Sequence, residues 1–214
     1  MKYLLFSHGF GVKKDSRGMF TDIASSFPDY KAMMFDYNVV NSSNDEVTVE
    51  PYSKQAELLQ AQIDRIYSID SLAEITLIGH SQGCIIPCLI DDLKINSAIL
   101  LAPPKVVGSN MSRNQSESGS KDGSIRIPRK DGTTTIVTKA FIDELDKTNP
   151  PQLYRKLASQ MPTTIVVADQ DEILKDRDLS ELSDVAKVIT ISGDHNFNGQ
   201  YRKGLLETLY NILG

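Results

Sequence analysis

The sequence predicts one α/β domain built on a mostly parallel sheet of about six strands, with helices on both faces. Short, almost continuously apolar runs such as Tyr3-Leu4-Leu5-Phe6, Ile75-Thr76-Leu77-Ile78 and Thr163-Thr164-Ile165-Val166-Val167 read as strands buried on both sides. They alternate with stretches of helical periodicity, the order that gives a parallel sheet. The length, 214 residues, is enough for one sizeable core and too short for two comfortable ones. Residues 1–214 are therefore expected to form a single domain.

Each element follows from its pattern. Residues 2–7 read as a strand and about 17–27 as a helix; Lys31-Ala32-Met33-Met34-Phe35 is the next strand. Leu58, Leu59, Ile63 and Ile66 recur at helical spacing and predict an amphipathic helix over about 53–68. A strand at 74–79 leads into a helix over about 82–92. Strands at 98–101, 163–167 and 185–191 follow, and a helix over about 199–213 closes the chain. The stretch from about 103 to 151 breaks the rhythm and is expected to be a small cap-like insertion. Within it Ser109 to Gly123 is polar and reads as a mobile loop. Residues 124–137 read as a hairpin turning at Asp131-Gly132, and 139–147 and 152–160 as short helices.

Composition narrows the function classes. A net charge of −5 offers no basic surplus to displace counterions from a nucleic acid. No run approaches the ~20 apolar residues of a membrane helix, and Met1 to Ser7 reads as a strand rather than a leader. The protein is expected to be cytoplasmic, with neither nucleic acid nor membrane as partner. Cys84 and Cys88 fall four apart on the helix expected after residue 81 and read as buried packing; two thiols without nearby histidines make a poor zinc site.

The chemistry is carried by Gly79-His80-Ser81-Gln82-Gly83, set between an apolar strand and a helix-like stretch. Gly-x-Ser-x-Gly on a strand-to-helix turn holds a serine hydroxyl clear of the backbone at the positive end of the following helix. Such a serine needs a base, and the base an orienting acid. Of the three histidines, His8 follows the first strand and His80 adjoins the serine. His195, between the last strand and the last helix, is the one placed to reach Ser81 from a separate loop. Among Asp169, Asp171 and Glu172, we choose Asp171, because three residues past Ala168 the chain has left its strand and can turn toward the histidine. Asp169 is the rival. An oxyanion needs preorganised amides; those of Gln82 and of Phe10, in Ser7-His8-Gly9-Phe10-Gly11, are the candidates.

Taken together these segments, with Phe35-Asp36-Tyr37, Ala168-Asp169-Gln170-Asp171-Glu172-Ile173 and Gly193-Asp194-His195, resemble the α/β-hydrolase superfamily over nearly the whole chain, and within it the small bacterial serine esterases. The resemblance implies a Ser81–Asp171–His195 triad acting through an acyl-enzyme. The sequence departs from the pattern in several places. The family's first two antiparallel strands are missing, Asn38-Val39-Val40-Asn41-Ser42-Ser43 replaces the usual Arg-Gly-x-Gly-x-Ser, and Cys84 and Ala168 stand where glycine is usual.

The expected activity is hydrolysis of a small-molecule carboxylic ester, with no metal and no cofactor. Thioesterase, acyltransferase and peptidase activities use the same triad, and a non-catalytic binding protein on the same scaffold is the reading from another class. The stretch 104–134 offers few large apolar residues (Val106, Val107, Met111, Ile125 and Ile127), so short acyl groups are expected to be favoured.

Overall fold

A computed structural model of the chain describes residues 1–108, 123–129 and 132–214. Its frame is a six-stranded sheet formed by β1 (Lys2–Ser7), β2 (Lys31–Met33), β5 (Glu74–His80), β6 (Ser97–Leu101), β9 (Thr163–Ala168) and β10 (Lys187–Ile191). The strand order is β10-β9-β6-β5-β1-β2, and every neighbouring pair is parallel. The strands are apolar on both faces for a visible reason. Tyr3 and Leu5 of β1 point into one core and Leu4 and Phe6 into the other, as period-two geometry requires. One core is covered by α2 (Tyr52–Ile69) and α4 (Pro150–Gln160), the other by α1 (Met19–Ser26) and α5 (Gln200–Leu213). Among the described residues no helix is long and apolar enough to cross a membrane.

Beyond β1 the chain crosses to β2 on one side; it returns to pair β5 against β1's other edge, and then proceeds outward through β6, β9 and β10. The loops leaving β1 and β5 therefore diverge at the carboxyl edge of the sheet. In open α/β sheets this reversal opens a crevice where ligands bind.

The helix expected over about 82–92 is absent. Residues Ser81–Cys84 and Ile86–Leu89 form two 3₁₀ turns instead. An α-helix here would need residue 87 to donate to the Gly83 carbonyl, but Pro87 has no N–H and its ring clashes with that oxygen. The Ser7 hydroxyl donates to the Gly83 carbonyl at 2.6 Å in its place. Cys84 and Cys88 are both free and buried, packed into the core.

A second sheet was not expected. β3 (Val39–Asn41), β4 (Glu46–Val49), β7 (Ile125–Pro128) and β8 (Thr134–Val137) lie in the order β3-β4-β8-β7. β7 and β8 are the antiparallel hairpin read from the sequence, and β8 docks parallel to β4. Gly132 sits at φ +86°; its partner in the expected turn, Asp131, lies outside the described residues, as does nearly all of the loop expected at 109–123. The stretch that replaces Arg-Gly-x-Gly-x-Ser thus starts the strand pair on which the 103–151 segment is seated. That segment continues through α3 (Lys139–Leu145), whose Glu144 carboxylate accepts from the Ser53 amide (2.9 Å) and hydroxyl (2.6 Å) in the first turn of α2.

Gly83 is where the fold is tightest. A Cβ there would lie 2.1 Å from the Ser7 carbonyl oxygen and 2.6 Å from that of His8. Gly83→Ala is expected to destabilise the protein by about 3 kcal/mol, from overpacking against rigid backbone. Urea unfolding of the purified variant checks this, and an unchanged midpoint would refute the contact.

Candidate active site

Ser81 leaves β5 with φ +52°, in the left-handed region that costs a non-glycine residue on the order of 1–3 kcal/mol unless its surroundings impose it. Here they do: the paired end of β5 precedes it and the Ser7–Gly83 contact follows within two residues. Its hydroxyl oxygen lies 3.0 Å from His195 Nε2, and His195 Nδ1 lies 2.7 Å from Asp171 Oδ2. Asp171 and His195 are buried while Ser81 is half-buried. The structure thus brings the expected serine, histidine and acid into one hydrogen-bonded line.

The acid is held by its own loop. Asp171 Oδ1 accepts from the amides of Ile173 and Leu174, both at 2.8 Å. Burial pushes this carboxyl up, but the bonds from His195, Leu174 and Ile173 more than offset it, so it lies below the usual carboxylate range. The neighbouring carboxylates have other work. Asp169 accepts from the Gly193 amide (3.1 Å) and Glu172 from the His195 amide (3.1 Å). Both anchor the backbone of the loop that carries the histidine.

That loop has further anchors that the sequence did not reveal. His80 Nε2 donates to the His195 carbonyl (2.9 Å), and its Nδ1 accepts from the Ser16 hydroxyl (3.1 Å). Arg202 of α5 donates to the carbonyls of Asn196 (3.2 Å) and Phe197 (3.0 Å) and pairs with Asp22 (2.6 Å). His80 sits inside the motif, so its position was visible though its role was not. No sequence signal marked Arg202.

The loop after β1 is stitched down by three consecutive residues. Asp36 accepts from the Lys14 amide (2.6 Å), the Tyr37 amide donates to His8 Nε2 (2.9 Å), and Asn38 donates to the Val12 carbonyl (2.9 Å). His8 Nδ1 donates to the Gly9 carbonyl (3.0 Å), which leaves Nε2 as the acceptor. Gly9 passes so close to Ser81 that a Cβ there would lie 3.2 Å from the serine Cβ. Phe10 packs near the Phe141 ring (5.7 Å between centroids), with the Arg129 guanidinium 5.4 Å from its ring centre.

Two cavities meet at Ser81. One, of about 160 Å³, takes in Arg17, His80, Arg129, His195 and Asn196. The other, of about 320 Å³, takes in Gln82, Tyr52, Val107, Phe141, Leu145 and Leu174. Phe10 borders both. Gln82 is buried, and its side-chain amide donates to Gln55 at 3.5 Å.

Burial, with the His195 ring nearby, holds His80 down to about 3. In the unfolded chain it titrates near the ordinary 6.5. Its contribution to stability is therefore complete above about pH 6.5 and is lost as the pH falls toward 3. The loss is about 1.4 kcal/mol per pH unit for the one proton. Urea unfolding of wild type and His80→Gln at a series of pH values from about 7 to about 4 checks this. The wild type should lose stability more steeply, and parallel slopes would show that His80 is not held neutral.

No protein-family model and no curated protein sequence matches the chain. Solved structures do. Est1E from Butyrivibrio proteoclasticus, with ferulic acid bound, superposes with a TM-score of 0.70 at 16% identity, over 100% of this chain and 88% of its own. A structure reported with LipS and LipT, two metagenome-derived lipolytic enzymes, gives 0.70 at 11% identity, over 99% and 92%. The alpha/beta hydrolase GrgF from Penicillium sp. sh18 gives 0.68 at 15% identity, over 99% and 88%. The chain has the α/β-hydrolase fold.

Proposed function

We propose that, on this α/β-hydrolase fold, the chain hydrolyses carboxylic esters through an acyl-enzyme on Ser81. The observation that carries the reading is the unbroken line from Ser81 Oγ through the His195 ring to the buried Asp171 carboxylate, opening onto two cavities. Ser81 Oγ attacks the ester carbonyl as His195 Nε2 takes its proton. Asp171 holds the Nδ1–H tautomer and stabilises the imidazolium. The amides of Phe10 and Gln82 receive the oxyanion. Collapse expels the alkoxide, which takes the proton back from His195; a water activated by the same nitrogen then releases the acid.

The two cavities support a division of the substrate between them. The leaving alkoxide must be within reach of His195, which borders the 160 Å³ cavity and not the 320 Å³ one. On this reading the alcohol portion takes the 160 Å³ cavity, and the acyl portion the 320 Å³ cavity beside Gln82. A neighbour described as a lipolytic enzyme supports an ester as the bond class.

Ser81→Ala is expected to lower kcat by about 10⁴-fold or more in a folded protein, and to abolish labelling by a fluorophosphonate probe. Full activity in that variant would end the assignment. A panel of ester, thioester and amide substrates should show esters fastest.

The acids separate by substitution. Asp171→Asn should lower kcat by about 10⁴-fold, because the amide favours the wrong imidazole tautomer. Asp169→Asn keeps an oxygen for the Gly193 amide and should cost less than about tenfold. Steady-state kinetics on both variants decide it, and the opposite ranking would make Asp169 the acid.

An acyl cavity of about 320 Å³ stands at the small end of the range for ligand pockets, about 300–1,000 Å³. Acetyl to butyryl p-nitrophenyl esters should be hydrolysed with higher kcat/KM than esters of about ten carbons or more. A steady rise toward long chains, or activation at a lipid interface, would contradict the small pocket.

A further inference from the structure

Ile173, two residues past Asp171, carries an apolar side chain that is 59% exposed. A single exposed apolar residue needs no explanation by itself, but this one stands at the site. Among the described residues, only Phe10, Ser81 and Ile173 border both cavities. Ile173 therefore lies where the two meet, beside the bond that Ser81 attacks in the proposed mechanism. Val106, 56% exposed, and the half-buried Leu174 continue the apolar surface along the 320 Å³ cavity. The Ile173 backbone, by contrast with its open side chain, is fixed. Its amide donates to Asp171 Oδ1 at 2.8 Å, and Arg177 donates to the Asp171 carbonyl at 3.1 Å.

We propose that the Ile173 side chain is a substrate contact that covers the first carbons of the acyl group, so that the enzyme selects acyl esters that are apolar next to the reacting carbonyl. This rests on the ester reading and on the division of the substrate given above. Apolar surface still in water in the free protein contributes to binding when a substrate covers it, in proportion to the area removed. A side chain that only packed its own loop would already be buried by that loop. The fixed backbone keeps the cost of ordering the contact low. A polar atom next to the carbonyl would lose water against Ile173 and Val106 and gain no hydrogen bond from either side chain, which is unfavourable.

The test compares p-nitrophenyl butyrate with p-nitrophenyl methoxyacetate, in which an ether oxygen replaces the third carbon of the chain. Each kcat/KM is divided by the rate of alkaline hydrolysis of the same ester, which removes the difference in intrinsic reactivity. Wild type should then favour the butyrate about tenfold. Ile173→Ala should lower kcat/KM for the butyrate about tenfold and bring the preference to about twofold or less, with Ile173→Val in between. The thermal midpoint should stay unchanged, because the side chain is exposed in the free protein. No preference in wild type, a preference that Ile173→Ala leaves intact, or a loss of rate matched by a fall in the thermal midpoint would overturn the proposal while the ester reading stands. Failure of wild type to hydrolyse either ester would overturn both.

Discussion

The site depends on one close contact, that of Gly83 with the end of β1. β1 and β5 are neighbours in the sheet, but their loops diverge, and the crevice between them is useful only if both loops are held to a fixed separation. The Ser7 hydroxyl does this by donating to the Gly83 carbonyl while it accepts from the Tyr37 hydroxyl at 2.8 Å. Tyr37 is fully buried, and burial pushes its phenol well above the ordinary range, so it remains a donor. Any side chain at position 83 would part the two loops. Pro87 cannot donate to the same carbonyl, so the residue that ends the helical pattern after Ser81 also leaves the Gly83 carbonyl to the Ser7 hydroxyl.

Against this fixed edge the histidine loop is held by its backbone more than by its side chains. The His195 amide, the His195 carbonyl and the carbonyls of Asn196 and Phe197 are bound by Glu172, His80 and Arg202 respectively. The imidazole itself then needs only Asp171 to fix its rotation. Placement of a reacting group to within a fraction of an ångström requires this kind of redundancy, because a ring held by one bond alone would swing. His80 can serve as a brace because its depressed basicity keeps it neutral, and a second imidazolium beside His195 would oppose the charge that the proposed mechanism creates there.

How much of this was legible follows from the range of each interaction. The six parallel strands announced themselves, because strands buried on both faces must be apolar throughout, as Leu4, Leu5 and Phe6 are. Ser81, Asp171 and His195 were legible because strand ends and a five-residue motif place them, and Asp171 was separated from Asp169 by a count of residues beyond the strand. The second sheet was not legible. β3 and β4 are three and four residues long and carry polar residues such as Asn41, Glu46 and Thr48, and β4 finds its partner β8 about ninety residues later. The turns after Ser81 were misread as a helix because Ile85, Ile86 and Leu89 satisfy helical spacing, while the veto lies in the single residue Pro87. Arg202 left no local trace, since it matters only through groups brought to it from distant parts of the chain.

The 103–151 segment has a consequence that its sequence did not suggest. Its hairpin carries Arg129, whose Nε donates to Thr135 at 2.8 Å and whose guanidinium covers one side of Phe10. Its helix α3 carries Phe141, which packs near Phe10 and lines the 320 Å³ cavity. A cation over an aromatic face contributes about 0.5–2 kcal/mol, and an aromatic pair about as much. Phe10 thus meets two side chains of a segment more than a hundred residues away. The Phe10 amide is a proposed oxyanion donor, and a donor is effective only if it is already aimed when charge develops. In the proposed mechanism, the segment that lines the acyl cavity would therefore also hold the oxyanion loop in place, and the Phe10 ring would couple substrate fit to transition-state stabilisation.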